Sequence, residues 1–145
     1  MNLRIEILPW EAARAAARAL RSTVFIVEQQ VPEELEWDEF DAQSWHALAW
    51  VDGIPVATGR LLPDGHIGRM AVLAPWRGLG LGSAVFAALL AAARAARHDV
   101  VQLHAQTRVE GFYARFGFVA AGDPFDEAGI PHVLMRRPLR AGRKD

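Results

Sequence analysis

The sequence predicts a single α+β domain with a mixed, mostly antiparallel sheet flanked by helices. Three observations predict this class. Apolar and polar residues alternate near the N-terminus and again after residue 100, a hairpin turn signal joins two apolar segments, and a strand, helix, strand order follows. At 145 residues and 52% hydrophobic content, the chain has the size of one domain with one core. We therefore interpret residues 1–145 as one domain.

The first part of the chain predicts a strand, a helix and an acidic segment. Apolar and charged residues alternate after Leu3, which predicts a strand over residues 3–8 that Pro9 ends. Alanine, leucine and arginine at helical spacing predict a helix over 10–27. Residues 28–41 are rich in Glu and Asp, so we interpret them as an acidic loop or short helix with solvated charges.

Two turn signals in the middle of the chain predict three consecutive strands. Asp52-Gly53 tolerates the positive φ angles of a two-residue hairpin turn, so Trp45–Val51 and 54–62 are expected to pair. Pro63-Asp64-Gly65 is a second turn, and residues 67–73 then continue the antiparallel meander.

The pattern changes after residue 77. Residues 78–97 predict a long alanine-rich helix and Val100–Gln106 a strand, which implies a right-handed crossover and a parallel strand pair. The remaining segments are expected to form a short helix over 108–116 ended by Gly117, a last strand over 132–138 and a flexible tail over 139–145.

The composition excludes several classes of partner and site. A net charge of -1 provides no overall positive field, so we expect neither a nucleic acid nor a membrane as partner. The chain has no cysteine, which excludes disulfides and thiolate zinc sites and favours a cytoplasmic location. His46, His66 and His132 are too scattered to predict a metal site.

Residues 72–83 pass from an apolar strand into an apolar helix, with alternating glycines at the junction. Glycines let backbone N–H groups converge, and a helix N-terminus adds partial positive charge, so this loop suits a pyrophosphate. A tight packing turn is the alternative. The loop lacks the Gly-Lys-Ser or Gly-Lys-Thr ending of a nucleoside triphosphate site. Ser83 or Val85 stands where a dinucleotide fingerprint needs its third glycine, so that class is excluded too.

The remaining pattern, Arg77-x-x-Gly80-x-Gly82 between a strand and a helix, resembles the acetyl-CoA signature of the GNAT superfamily of N-acetyltransferases. Phe112-Tyr113-Ala114-Arg115-Phe116-Gly117-Phe118 is similar to the second conserved block of that family. Further segments near both ends resemble its ElaA-like branch: Val24-Phe25, Glu28-Gln29, Trp45-His46 and Gly129-Ile130-Pro131-His132. The resemblance covers most of the chain.

The resemblance implies a GNAT-like sheet in which the parallel fourth and fifth strands splay apart around acetyl-CoA. The pantetheine arm would add to the backbone of Met70, Ala71 and Val72. The pyrophosphate would meet the loop, where Arg77 adds charge; the loop residues are Arg77, Gly78, Leu79, Gly80, Leu81, Gly82 and Ser83. The implied reaction is acetyl transfer to a primary amine of a small molecule or peptide by direct attack on the thioester. Pairing as a homodimer is a further expectation.

Acetyl transfer needs an acid for the leaving thiolate and a base for the amine. Tyr113 occupies the tyrosine position of the family, and a phenol with an ordinary pKa of about 10 stays protonated at neutral pH. Gln102, His104 and Gln106 share one face of the strand Val100–Gln106, so His104 is the candidate base. Gln106 departs from the asparagine that many family members carry there.

Alternatives remain at both residues and for the function. The alternative for Tyr113 is an aromatic side chain that only packs its helix on the sheet, and the alternative for His104 is an imidazole that is hydrogen-bonded and catalytically idle. A water chain or one of four weaker candidates would then serve as base: Glu28, Asp41, His46 and His132. A non-catalytic acyl-CoA-binding or sensing domain is the alternative function, and thiol release with an amine distinguishes the two.

Overall fold

The structure, a computed structural model, describes residues 2–139. Within them the strands are β1 (Leu3–Pro9), β2 (Trp45–Val51), β3 (Ile54–Leu61), β4 (Ile67–Val72), β5 (Val100–Gln106), β6 (Val119–Ala120), β7 (Phe125–Glu127) and β8 (Ile130–Pro138). The α-helices are α1 (Trp10–Arg21), α2 (Glu33–Glu36), α3 (Leu81–Ala95) and α4 (Glu110–Ala114). A π-helical segment, Ser22–Glu28, follows α1, and three short 3₁₀ turns are Asp41–Gln43, Ala74–Trp76 and Thr107–Val109.

The strands form two antiparallel sheets that meet at β4 and β5. The first sheet has the order β1-β2-β3-β4, and in the second β5 and both short strands pair with β8. A parallel bridge between His66 and Gln102 links the two sheets where β4 begins, and beyond it the strands diverge without ladder pairing. The predicted α+β class with a mostly antiparallel sheet is confirmed, and the expected parallel pair is reduced to this bridge.

Helix α3 packs against both sheets where they separate and forms the hydrophobic core with them. Its side chains Val85, Phe86 and Leu89 are fully buried. They belong to one hydrophobic cluster with residues of the first sheet, such as Val56, and of the second, such as Leu103. Removing a fully buried large side chain costs about 3 to 5 kcal/mol. The packing of these side chains against both sheets therefore stabilises the relative position of β4 and β5.

The first helix differs from its prediction. It is α-helical only to Arg21, and then widens into the π-helical segment, in which the N–H of Gln29 donates to the carbonyl of Val24 at 3.0 Å. The spacing of the apolar residues is too close to helical to reveal this insertion. The wider turn directs Phe25 and Gln29 to the cleft described below, and π-helical turns are frequent at functional sites.

Other elements also differ from the sequence prediction in their presence or their boundaries. The strands β6 and β7 were not predicted, and β8 begins at Ile130 because Ala128 and Gly129, with φ of +54° and +78°, form a two-residue hairpin turn. Helix α3 begins at Leu81 instead of Gly78. Of the predicted tail, 139–145, only Leu139 lies within the described residues, and its N–H donates to the carbonyl of Asp99 at 2.8 Å.

Candidate active site

A cleft of about 940 Å³ opens where β4 and β5 separate. One wall comes from β4 and the loop before α3, and the other from β5, α4 and the β7–β8 hairpin. Phe25 of the π-helical segment and Gln29, which directly follows the segment, also line the cleft. The cleft therefore lies between the two sheets, within the size range of small-molecule sites.

The glycine loop places an uncapped helix N-terminus in this cleft. Gly78 and Gly80 have φ of +80° and +82°, and a Cβ at either position would meet no atom within 4 Å. The glycines are therefore required for backbone conformation, not for space. No side chain caps α3 at Gly80, and Leu81, Gly82 and Ser83 line the cleft. The free N–H groups and the helix dipole fit a diphosphate.

Arg77 does not face the cleft as a free cation. Its guanidinium forms two hydrogen bonds of 2.6 and 2.7 Å to Glu28, and its Nε donates to the carbonyl of Val72 at 2.9 Å. The hydrogen bonds from Arg77 hold the pKa of Glu28 below its usual range. Arg108 also lines the cleft, and within residues 2–139 its side chain forms no hydrogen bond or ion pair. Arg108 is thus the arginine available to an anionic ligand.

The three residues predicted to contact the pantetheine arm lie on β4. Met70, Ala71 and Val72 all line the cleft. The pairing of β3 with β4 is irregular opposite Arg69, which has a φ of +52°. Such bulges turn backbone groups out of a ladder and are common beside active sites. The backbone of β4 is therefore exposed to the cleft beyond the bridge at His66, although the carbonyl of Val72 is occupied by Arg77.

Tyr113 lies on α4 with its ring in the core and lines the cleft. It is 9% exposed, and its ring packs edge to face against Phe86 at 5.1 Å and Phe112 at 5.0 Å. Burial raises the pKa of Tyr113 to about 12. Its hydroxyl is therefore protonated at every pH at which the fold is assayed, as a proton donor requires.

The polar face predicted for β5 is present. His104 lines the cleft, and its Nδ1–H donates to Glu127 Oε1 at 2.8 Å. Gln106 donates to the side-chain oxygen of Gln29 at 2.9 Å, which connects β5 to the residue that follows the π-helical segment. His104 and Gln106 therefore both form hydrogen bonds with residues that are far away in the sequence.

The expectation of solvated charges holds for only part of the acidic segment, because Glu28, Glu33, Glu34 and Glu39 are exposed but two other acids are not. Glu36 and Asp41 are buried and share Arg21, with Nε to Glu36 at 2.8 Å and Nη1 to Asp41 at 2.8 Å. Arg60 also donates to Asp41 at 3.0 Å, and Arg69 lies 3.2 Å from Glu36. Asp38 also pairs with Arg60 at 2.8 Å and with Arg69 at 3.2 Å. Because three arginines and three carboxylates balance in this cluster, it can stay buried beside the cleft.

The carboxylates of this cluster respond to burial in opposite directions. Burial raises the pKa of Glu36, and the attraction of Arg69 and Arg21 only partly offsets it. For Asp41, burial is outweighed by hydrogen bonds and attraction from Arg21 and Arg60, so the pKa is lowered. His46, a weaker base candidate, donates from Nε2 to the carbonyl of Asp41 at 2.9 Å, and burial lowers its pKa.

The weaker base candidates are thus placed in different surroundings. Glu28 pairs with Arg77, and Asp41 and His46 belong to the buried cluster. His132 lines the cleft, with Nδ1–H donating to the carbonyl of Ile130 at 2.7 Å. Residues 2–139 contain no group of three or more metal-ligating side chains close enough to bind an ion. Over the same residues, no helix has the length and apolarity to cross a membrane.

Sequence reasoning missed three residues of this cleft. Glu127 reaches it from residues to which no element is assigned from the sequence. Gln29 reaches it from the acidic segment, where Glu28-Gln29 is noted only for its resemblance to the ElaA-like branch. Arg108 lies two residues after the end of β5, and a position just beyond a strand that lines the cleft is a signal that the sequence contains.

Comparison with known proteins identifies the family. Residues 11–139 match the model of the acetyltransferase (GNAT) domain. The Bacillus subtilis protein YyaT is 36% identical over 143 residues, which cover 94% of this chain and 97% of YyaT. Escherichia coli ElaA is 32% identical over 128 residues, covering 83% of this chain and 84% of ElaA.

Solved structures agree with the sequence matches. The crystal structure of Escherichia coli ElaA has a TM-score of 0.85 at 29% identity and covers 94% of this chain and 99% of that chain. An acyl-CoA N-acyltransferase from Pseudomonas aeruginosa has a TM-score of 0.80 at 35% identity and covers 94% of this chain and 98% of that chain. This chain therefore belongs to the GNAT acetyltransferase family, as an ElaA-like member.

Proposed function

We propose that this protein is an N-acetyltransferase that uses acetyl-CoA and acetylates a primary amine of a small molecule or peptide by direct attack on the thioester. The observation that carries the proposal is the uncapped N-terminus of α3, which opens into a cleft between separated strands that also contains Tyr113. Family membership supports an acyltransferase, and the donor and acceptor are the parts proposed here.

Most of the residues that would hold the donor lie along the wall formed by β4 and the loop before α3. The N–H groups at the start of α3, from Leu81 to Ser83, suit the diphosphate, and Arg108 on the facing wall provides a cation without an ion-pair partner among residues 2–139. The exposed backbone of Met70 and Ala71 suits the amide groups of the pantetheine arm. Arg77 serves this wall indirectly, because it ties the loop to Glu28 and to the end of β4.

The donor supplies an acetyl thioester, whose carbonyl carbon bonds to the amine nitrogen as the carbon–sulfur bond breaks. Tyr113 is protonated in the folded protein and provides the proton for the departing sulfur. His104, on β5 of the same wall, is the proposed acceptor of the amine proton. The aromatic packing around Tyr113 holds its ring in place at the cleft.

Thermal unfolding with acetyl-CoA, CoA, ATP and NAD added separately tests the donor. Ligand at 100 times its Kd adds about 2.7 kcal/mol to stability, which corresponds to a Tm rise of about 5 to 10 °C for a domain of this size. We expect this rise with acetyl-CoA and CoA and no rise with ATP or NAD. No rise with either CoA species at millimolar concentration would refute the donor assignment.

Thiol release with a panel of primary amines and peptide N-termini tests the reaction. An enzyme releases CoA at a rate that depends on the amine concentration. A Tm rise with acetyl-CoA but no thiol release with any amine would instead favour a non-catalytic acyl-CoA sensor. The cytoplasmic location and the homodimer remain predictions, and size-exclusion chromatography with light scattering measures the oligomeric state.

A further inference from the structure

His104, Glu127 and His132 form a cluster on one wall of the cleft, and family membership assigns none of the three a role. Glu127 Oε1 accepts the Nδ1–H of His104 at 2.8 Å, and Glu127 Oε2 lies 3.8 Å from His132 Nε2. All three side chains line the cleft. The cluster is therefore in contact with the space that an acceptor would enter.

The sheet register explains why residues from three strands meet. β8 lies between β5 and β7, and His132 is the register partner of Gln106 on one side and of Phe125 on the other. Alternation then places His104 on the face of Gln106, and Glu127 on the face of Phe125. The Phe125 ring also packs against both imidazoles, at 5.2 Å from His104 and 6.2 Å from His132.

The hydrogen bond to Glu127 determines which nitrogen of His104 can accept a proton. With Nδ1–H donated to the carboxylate, a neutral imidazole has its lone pair on Nε2. The carboxylate also stabilises the imidazolium that forms when Nε2 is protonated, as the buried acid does in a Ser-His-Asp triad. His104 and Glu127 are each about two-fifths exposed, with side-chain exposures of 41% and 42%, so solvent can remove the proton afterwards.

The proton donor lies on the other side of the same strand. Leu103 and Ala105 of β5 are buried in one cluster with Tyr113. His104 alternates with them, so it projects from the opposite face of β5. An acid and a base on opposite faces of one strand can act on the two ends of a reacting group without exchanging their own proton.

We propose that Glu127 is a positioning residue that fixes His104 in the Nδ1–H tautomer, so that His104 Nε2 accepts the proton of the acceptor amine. This inference rests on the proposed function. As the nitrogen–carbon bond forms and the carbon–sulfur bond breaks, the amine proton moves to Nε2 and the Tyr113 proton moves to sulfur. Both side chains then return to their starting forms by exchanging protons with solvent.

Nitrogen-15 NMR of the imidazole rings tests the tautomer without any acceptor. At about pH 8.5, where free imidazoles are mainly neutral, we expect His104 to carry its proton on Nδ1. Glu127→Ala should shift it toward Nε2–H, whereas Asp126→Asn, on the same strand but outside the cleft, should not. His46, whose Nε2–H donates to the carbonyl of Asp41 away from Glu127, is an internal reference that should stay unchanged. An Nε2–H tautomer in the wild type would overturn the inference.

A double-mutant cycle tests whether Glu127 acts through His104. With a primary amine that supports thiol release, we expect His104→Gln to lower kcat/KM by about 100-fold and Glu127→Ala by about 10-fold or more. In the His104→Gln background, Glu127→Ala should have no further effect, because its target is gone. Losses that multiply would show that Glu127 acts independently and would overturn the inference.

Different results would refute the proposed function and the role of Glu127. If the wild type binds no CoA species or releases no thiol with any amine, the proposed function is refuted, and the base role with it. If the wild type is active and Glu127→Ala behaves like Asp126→Asn in both tautomer and rate, only the role of Glu127 is refuted. Both substituted side chains are exposed, so neither variant is expected to disturb the core.

Discussion

Replacing Tyr113 with phenylalanine removes a single oxygen atom from the cleft. The ring stays in place because its contacts with Phe86 and Phe112 do not involve the hydroxyl. Within residues 2–139 the hydroxyl forms no hydrogen bond that the substitution would break. We therefore expect the free energy of unfolding to change by less than about 1 kcal/mol.

The effect of Tyr113→Phe on catalysis should be much larger than its effect on stability. A positioned general acid contributes about 10² to 10⁴ in rate. We expect kcat to fall by about 10² to 10³, which corresponds to about 2.7 to 4.1 kcal/mol of transition-state stabilisation. Because burial raises the pKa of Tyr113 to about 12, the wild-type rate should show no basic limb from this group below about pH 11.

The assay is thiol release at saturating acetyl-CoA with an amine that the wild type accepts. Ser83→Ala is the matched control, since it also removes one hydroxyl from the cleft but at the start of α3. We expect Ser83→Ala to change KM for acetyl-CoA with little change in kcat, and Tyr113→Phe to do the reverse. A Tyr113→Phe enzyme that retains kcat within about threefold of the wild type would refute the acid role.

Three further perturbations test the surroundings of the site. Asp41→Asn should lower the free energy of unfolding in urea by about 3 kcal/mol, because it breaks a buried ion pair; a loss below about 1 kcal/mol would contradict this. The pKa of Asp41 is lowered in the fold, so its contribution is present above about pH 4 and disappears as the pH falls through the lowered value. The wild-type and Asp41→Asn curves should therefore converge in acid, and parallel curves would argue against the ion pair. Gly80→Ala puts a side chain at φ +82° and should cost about 1 kcal/mol in thermal denaturation, while an unchanged Tm would show that the loop relaxes. Arg108→Gln should raise the Kd for CoA by about 10-fold and weaken the dependence of that Kd on salt concentration. Arg115 lies outside the cleft, so Arg115→Gln should leave both quantities unchanged. Equal effects of the two substitutions would refute the role of Arg108.

Much of the fold follows from patterns that involve neighbouring residues. The hairpin at Asp52-Gly53 and the helix α3 were predicted because a turn or an apolar period constrains residues close together in sequence. The polar face of β5 was predicted from alternation alone, and His104 does line the cleft. The same local reasoning missed β7, since a strand of three residues has too few positions to show a period.

Patterns among neighbouring residues do not predict the hydrogen-bond partners of the site residues. Arg77 is bound by Glu28, 49 residues away, so the arginine expected to contact a pyrophosphate is already paired. His104 is bound by Glu127, 23 residues away, through a strand that lies between them. Glu36 and Asp41 look like solvated charges in the sequence and become buried because Arg21 and Arg60 meet them.

The sequence by itself determined the fold class, the glycine loop before α3 and the tyrosine that lines the cleft. These features depend on backbone conformation and periodicity, which each short segment carries in its own residues. Only the tertiary structure decided which charges are paired, which arginine remains available and which carboxylate faces His104. Such pairings depend on how separate segments pack, since an ion pair or hydrogen bond between distant residues forms only when the core holds both side chains within about 3 Å.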